Sequence, residues 1–251
     1  MYYTHEKVTE IMQALFYKAR QTDEFEFCCA LLRIRGTEDV GWDTLSESQD
    51  LIYDTLSMIE APKSQLFEKR LELLLYCHLT EMDDMYSIIA NLLWITLGER
   101  YRIDPFYYEL FEDRKTISSP ESKVDRIKAL SIRAGFKEVG EIYDYFLIKQ
   151  VRNAFFHSDY VLYSNEFRIV NGEPLKINGE IENSVPFYWL QERIEVAIMW
   201  ALQLFEFIID NKSDYKGEKI VKARIGHNGA VEDVVLIGDD NGLRGFRTYI
   251  K

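Results

Sequence analysis

The sequence predicts a mainly α-helical protein with an inserted β-hairpin and a small antiparallel β-sheet at the C-terminal end. Apolar residues recur every three or four positions over most of the chain before residue 210, which is the spacing of a buried helix face. Two shorter stretches carry β-branched and aromatic runs between turn-forming residues, which is typical of β-strands. The individual elements follow from these two patterns in chain order.

The first 60 residues are expected to form a helical region packed on the main body of the protein. Residues 5–20 place apolar side chains on one stripe in helical spacing, and residues 44–59 repeat this pattern. Residues 25–34 are apolar almost throughout and fit either a helix or a buried strand, of which we predict the helix.

Residues 61–212 are predicted to form the main helical domain. One long helix is expected from Lys63 to Leu97, and another is expected from Glu141 to His157. Between them, Ser119-Pro120 predicts a helix start, because serine caps unpaired N–H groups and proline suits the first helical turn. Gly135 is expected to end that helix.

Two parts of the chain predict β-structure. A β-hairpin is expected near 160–171, where aromatic and β-branched residues lie on both sides of a polar turn. A long apolar helix is then expected from Phe187 to Ile209. Residues 213–251 predict a small three-stranded antiparallel β appendage, because the turn signals His227-Asn228-Gly229 and Asp239 to Gly242 separate three strand-like runs.

Composition restricts the partners and the compartment. The 251 residues include 42 acidic and 30 basic side chains, and a net charge of −12 disfavours a protein that coats nucleic acid non-specifically. Any contact with RNA should therefore be local. Three cysteines do not make a disulfide framework, so we expect a cytoplasmic location. No signal peptide and no membrane-spanning run is apparent, so a membrane partner is not expected.

Several catalytic and metal-binding motifs are missing from the sequence. It contains no GxxxxGK[ST] phosphate loop, no GxGxxG turn and no HExxH helix. None of its four histidines belongs to an ExxH pair, and no CxxC pair is present. We therefore expect no metal site and no cofactor.

One short stretch, Val151 to Tyr160 (VRNAFFHSDY), combines polar residues in a recognisable spacing. Four residues separate Arg152 from His157, and Asn153 follows the arginine directly. This pattern resembles the signature of the HEPN family (higher eukaryotes and prokaryotes nucleotide-binding). In that signature an arginine, usually followed by a polar residue, precedes a histidine by four to six intervening positions. The resemblance covers about residues 65–160.

The resemblance implies a HEPN-like helical bundle that pairs as a homodimer, with the two motifs facing each other across the interface. Many members of the family are metal-independent endoribonucleases, so the implied activity is cleavage of single-stranded RNA. Toxin or defence settings, with a protein antitoxin or regulator as a partner, also follow from the family. Arg152, Asn153 and His157 are then the candidate catalytic residues.

RNA cleavage agrees with the chemistry of these side chains. An imidazole can accept the 2′-OH proton or protonate the leaving 5′ oxygen near neutral pH, and a guanidinium stabilises a charged phosphorane. In a continuous helix Asn153 and His157 share one face, while Arg152 lies about 100° away and must use its length to reach the same site. Three following residues are placed to tune the histidine or to line a groove: Ser158, Asp159 and Tyr160.

A polar group also interrupts the long apolar helix around His78 and Glu81. Buried polar groups need hydrogen-bond partners, and the segment from Arg152 to His157 is the natural candidate. His78 and Glu81 are therefore possible supporting residues of the site. The other interpretation is that they form a solvated stripe or fix the register of an interface.

The segment 114–137 is basic within an acidic chain, with seven basic side chains against two acidic ones. Such a helix could contact a phosphate backbone, although charge-rich helices are commonly solvated faces. The candidate RNA-binding residues are Lys123, Arg126, Lys128 and Arg133.

Two alternatives to a nuclease remain open at this point. The motif could be structural, with His157 bonding a carbonyl and Arg152 pairing with Glu141 or Asp144. The protein would then be a catalytically inactive helical interaction module, whose aromatic hairpin or β appendage binds a protein. A nucleotide-binding HEPN-like module is the other alternative.

Overall fold

A computed structural model confirms the mainly helical class with additional small antiparallel sheets. It describes residues 3–33, 44–110, 113–116, 119–163, 165–177, 179–225 and 229–249. The predicted turn residue His227 lies outside the described residues.

Nine helices and ten strands lie in the described ranges. The helices are α1 (His5–Thr22), α2 (Glu24–Leu32), α3 (Thr44–Glu60), α4 (Gln65–Glu81), α5 (Asp83–Thr96), α6 (Pro120–Ala134), α7 (Lys137–Phe146), α8 (Lys149–Phe156) and α9 (Phe187–Ser213). The strands are β1 (Tyr107–Leu110), β2 (Asp113–Thr116), β3 (Tyr160–Leu162), β4 (Glu166–Ile169), β5 (Leu175–Ile177), β6 (Glu180–Glu182), β7 (Ser184–Pro186), β8 (Glu218–Arg224), β9 (Val231–Asp239) and β10 (Gly242–Thr248).

Contacts group the chain into two compact units, each assembled from separate stretches. Unit 1 comprises Met1–His5, Thr44–Met82 and Glu141–Ala201, and unit 2 comprises Glu6–Asp43, Asp83–Gly140 and Leu202–Lys251. The contiguous ranges expected from the sequence therefore differ from these units, since 61–212 contributes residues to both.

Most predicted elements form at the expected positions. The apolar stripe of α1 is buried, and the ambiguous segment after it is the helix α2. The Ser119 hydroxyl caps α6 by accepting from the N–H of Ser122, and Gly135 ends this helix with φ 78°. The predicted hairpin is β3–β4, which β7 extends to a three-stranded sheet.

The predicted C-terminal sheet is also present, with strand order β10-β9-β8 and antiparallel pairing throughout. It packs on α2 within unit 2, where the rings of Phe25 and Phe246 meet edge to face with centroids 4.8 Å apart. The sheet is thus an integral part of the core of unit 2.

The single helix expected from Lys63 to Leu97 is wrong, because α4 and α5 are separated at Met82. The backbone of Met82 has ψ 101°, which is extended rather than helical. Asp83 and Asp84 occupy the first turn of α5, where carboxylates interact favourably with the exposed N–H groups of a helix start. The two adjacent aspartates therefore mark the start of a new helix rather than the middle of a continuing one.

The single helix expected from Glu141 to His157 is also wrong, because α7 ends at Phe146 and α8 begins at Lys149. The fully buried Tyr76 of α4 stabilises this break. Its hydroxyl donates to the carbonyl oxygen of Phe146 (2.7 Å) and accepts from the N–H of Ile148 (2.9 Å). One side chain thus replaces helical hydrogen bonds that the break removes.

The hairpin β1–β2 and the hairpin β5–β6 were not expected. As a result, Arg114 and Lys115 belong to strand β2, and the basic segment 114–137 is not one helix. Within the part of the chain that the structure describes, every helix is too short or too polar to traverse a lipid bilayer. All three cysteines are buried and free, and burial raises the pKa of the Cys28 thiol to about 12.

Removal of the Tyr76 hydroxyl tests its role at the break between α7 and α8. We expect Tyr76→Phe to lower the free energy of unfolding by about 1–3 kcal/mol, because one buried donor and one acceptor lose their partner. Urea unfolding measures this change. Tyr17→Phe is the control, since Tyr17 is 65% exposed; equal effects of the two substitutions would contradict the assignment.

A buried carboxylate makes the stability of unit 1 depend on pH. Glu72 of α4 is only 9% exposed, and its Oε2 has no hydrogen-bond partner among the described residues. Burial, reinforced by the nearby charges of Glu68 and Glu195, raises its pKa to about 7. The folded protein therefore binds this proton more strongly than the unfolded chain, and stability decreases as the pH rises from about 4.5 to about 7.

Glu72→Gln should remove this loss of stability. At pH 8 we expect the variant to be more stable than the unsubstituted protein by on the order of 1–2 kcal/mol, and at pH 4.5 the difference should vanish. Urea midpoints at the two pH values measure it. Glu60→Gln, which removes an exposed carboxylate of α3, should show no such pH dependence.

Candidate functional site

The motif lies on α8, a helix of two turns that packs on α4 in unit 1. Val151 and Ala154 face the interior and are buried. The opposite side presents Arg152, Asn153 and Phe156. The helix therefore buries its apolar residues and leaves the polar motif accessible.

The end of α8 is a Schellman turn with serine where glycine is usual. The N–H of Asp159 bonds the carbonyl of Ala154 (2.8 Å), and the N–H of Ser158 bonds that of Phe155 (3.1 Å). Ser158 has φ 58°, a conformation that costs a non-glycine residue about 1 kcal/mol or more. His157 is the last residue before this turn, so the turn fixes where the histidine leaves the helix.

An open pocket of about 350 Å³ brings the motif residues together. Its lining consists of residues from α4 and α8 and of the residue that caps α8. They are Glu81, Arg152, Asn153, Phe156 and His157.

Arg152 is held in the pocket by several neighbours. Its Nε forms an ion pair with Oε1 of Glu81, and its Nη1 donates to Oδ1 of Asn153 (2.9 Å). The guanidinium carbon lies 5.9 Å from the centre of the Phe156 ring. The long side chain of Arg152 thus brings the guanidinium to Asn153, which the angle between the two residues on the helix requires. The ion pair also fulfils the expected contact between the polar group of α4 and the motif.

The side chain of His157 is exposed at the pocket, and it makes no hydrogen bond to any described residue. It is therefore neither buried nor engaged with a carbonyl, contrary to the structural alternative for the motif. Its backbone N–H bonds the carbonyl of Asn153 (3.0 Å), so the imidazole lies at the C-terminal end of α8.

His78, expected as a supporting residue, does not line the pocket. Its Nε2 is buried and has no partner among the described residues, and burial lowers the pKa of the imidazole. His78 is thus favoured in its neutral form within α4.

Ser158, Asp159 and Tyr160 do not line the pocket either. Ser158 and Asp159 form the turn that ends α8. The ring of Tyr160 lies between Phe155 and Phe167, with centroids 5.7 and 5.5 Å away and nearly parallel planes. These residues position the motif helix against the β3–β4 hairpin.

The basic candidates belong to unit 2 and differ from one another in exposure. Lys123 is 5% exposed and forms an ion pair with Asp83, so its expected contact with RNA is wrong. Lys128 is half-buried. Arg126 and Arg133 surround the ring of Trp94, together with Arg102, which the sequence analysis did not consider.

Phe156 is the pocket residue that the sequence analysis missed. It follows Arg152 by four positions and is 53% exposed. The four-residue spacing in the sequence indicates that Phe156 lies on the same helix face as Arg152. Within the described ranges, no three histidine, cysteine or carboxylate side chains group as ligands for a metal.

Comparison with protein-family models, with curated proteins and with solved structures finds no match to this chain. The resemblance to the HEPN signature therefore rests on the motif residues of the sequence.

If RNA binds here, as the resemblance to HEPN nucleases implies, its phosphate would approach Arg152 beside the negative charge of Glu81. We expect Glu81→Gln to strengthen binding of single-stranded RNA by about 3- to 10-fold, because a like charge facing the phosphate is removed. The partly exposed ion pair contributes only about 0.2–1 kcal/mol to stability, so the melting temperature should change little.

Fluorescence anisotropy with labelled RNA measures this effect. Glu180→Gln is the matched control, because it removes one exposed carboxylate of β6 in the same unit. Weaker binding by Glu81→Gln would show that Glu81 positions the guanidinium for RNA rather than competing with it.

Proposed function

We propose that this protein is a HEPN-like endoribonuclease that cleaves single-stranded RNA without a metal ion. The observation that carries this proposal is the convergence of Arg152, Asn153 and His157 on one open pocket of unit 1. The four-residue spacing that resembles the HEPN signature thus corresponds to a shared site rather than to separate surfaces.

Each residue has a role that its place in the pocket supports. The 2′-OH of the substrate attacks the adjacent phosphorus, and the bond from phosphorus to the 5′ oxygen breaks. His157 transfers a proton in this reaction, either from the 2′-OH or to the leaving 5′ oxygen. Arg152 stabilises the charged phosphorane. Asn153 holds the guanidinium through its Oδ1.

A homodimer completes the proposal. One imidazole cannot both remove the 2′-OH proton and protonate the leaving oxygen in a single step. A second copy of the motif facing the first supplies the other group, as the family resemblance implies. The same resemblance implies a toxin or defence setting, in which a protein antitoxin or regulator silences the activity, and the cysteine usage favours the cytoplasm.

A second candidate function is a catalytically inactive HEPN-like module that binds a protein or a nucleotide. The ion pair between Glu81 and Arg152 favours it, because a guanidinium already paired with a carboxylate is less available to a phosphate. The two functions differ in whether RNA is cleaved.

Incubation of end-labelled single-stranded RNA with excess EDTA separates these functions. We expect cleavage that leaves 2′,3′-cyclic phosphate ends, and we expect His157→Ala to lower the rate by at least about 100-fold, because a proton-transfer group is lost. The rate of RNA cleavage and the chemistry of the new ends are the measurements.

His5→Ala is the matched control, because it removes an exposed histidine of α1 outside the motif. Cleavage that persists in His157→Ala would contradict the assigned role. Absence of cleavage by the unsubstituted protein, tested as the dimer, would favour the inactive module.

A further inference from the structure

Three arginines surround one buried tryptophan in unit 2. The guanidinium carbons of Arg102, Arg126 and Arg133 lie 3.9, 5.1 and 5.6 Å from the centre of the Trp94 ring. Arg126 and Arg133 are seven residues apart on α6 and share one face of that helix. Trp94 comes from α5, which packs on α6.

Buried polar side chains fix the loop that carries Arg102. Asn91, which is 2% exposed, accepts from the N–H of Arg102 (2.8 Å) and donates to its carbonyl oxygen (3.0 Å). Glu26 accepts from the N–H of Tyr101 (2.9 Å), and the indole N–H of Trp94 donates to the carbonyl of Pro105 (3.3 Å). The backbone of Arg102 is therefore held in place before any ligand binds.

Two of the three guanidinium groups have no carboxylate partner. Among the residues that the structure describes, neither Arg126 nor Arg133 has a carboxylate within ion-pair distance. Arg102 has one, Glu99 at 3.5 Å, in an exposed pair of little energetic value. Burial lowers the pKa of Arg126, and the nearby positive charges of Arg133 and Arg102 lower it further. An anion between these guanidinium groups would relieve their repulsion.

We propose that Arg102, Arg126 and Arg133 form a binding site for a phosphate group beside Trp94. Guanidinium groups match the oxygens of phosphate in geometry and charge, and the fixed backbone of Arg102 lowers the entropic cost of binding. Trp94 is only 4% exposed, so it supports the arginines and does not stack on a base. The site therefore recognises phosphate without reading the identity of the nucleotide.

The phosphate has two possible sources, the backbone of RNA and a free phosphate. The RNA source rests on the proposed function, whereas the chemistry of the site does not. In an acidic chain with net charge −12, such a local site would supply the attraction that the protein surface as a whole lacks.

Binding measurements with Arg→Gln variants test this site. The RNA probe is a short single-stranded oligonucleotide with a 5′ fluorophore, and all proteins carry His157→Ala so that cleavage does not interfere. We expect Arg126→Gln and Arg133→Gln each to weaken binding by about 3- to 10-fold and to reduce the slope of log Kd against log salt by about 0.7. A mere structural role would not change this slope.

Arg247→Gln is the matched control, since it removes one exposed charge of β10 in the same unit. A second arm measures the increase in melting temperature that inorganic phosphate produces in each protein. If the two variants lose this increase but keep RNA affinity, the site binds free phosphate and the proposal holds with that source. Both arms unchanged relative to Arg247→Gln would overturn it.

The outcome is independent of catalysis. Absence of cleavage by the protein with an intact His157 would remove the proposed function without affecting these binding results. Unchanged RNA and phosphate binding in the arginine variants would remove the phosphate site even if RNA is cleaved.

Discussion

The hydroxyl of Tyr76 is the contact on which the geometry of the motif depends. By bonding Phe146 and Ile148, it stabilises a break that turns one expected helix into two. The second helix, α8, has only eight residues and would not be stable in isolation. Its direction therefore comes from α4, and the same helix α4 supplies Glu81 to the pocket. The fold and the site are thus coupled through one packed pair of helices in unit 1.

Arg152 and the arginines around Trp94 differ in whether their charge is compensated by a carboxylate. Arg152 is paired with Glu81 and bonded to Asn153, so its charge is compensated and its position is defined by polar contacts. Arg126 and Arg133 share the surroundings of Trp94 with further positive charge. A compensated arginine is suited to act at a defined point, whereas an uncompensated group is suited to attract an anion.

The sequence predicted correctly those elements that depend on interactions between residues close in the chain. The apolar stripe of α1 and the cap at Ser119 follow from short-range rules and were confirmed. The break before α8 was missed because it depends on Tyr76, which is 70 residues away from Phe146 in the sequence. In the pocket, spacing identified the polar motif, and Glu81 was recognised as a polar residue that needs a partner. Lys123 was misjudged because a charge pattern does not reveal burial.

The connection between α5 and β1 is a loop whose length is fixed by hydrogen bonds from buried side chains to its backbone. Buried Glu26, Asn91 and Trp94 each bond a different backbone group of this loop, at Tyr101, Arg102 and Pro105. Surface loops commonly accept inserted or deleted residues because their backbone polar groups are solvated. Here a change in length by one residue would leave buried partners without their bonds. Among related sequences this loop should therefore keep its residue count.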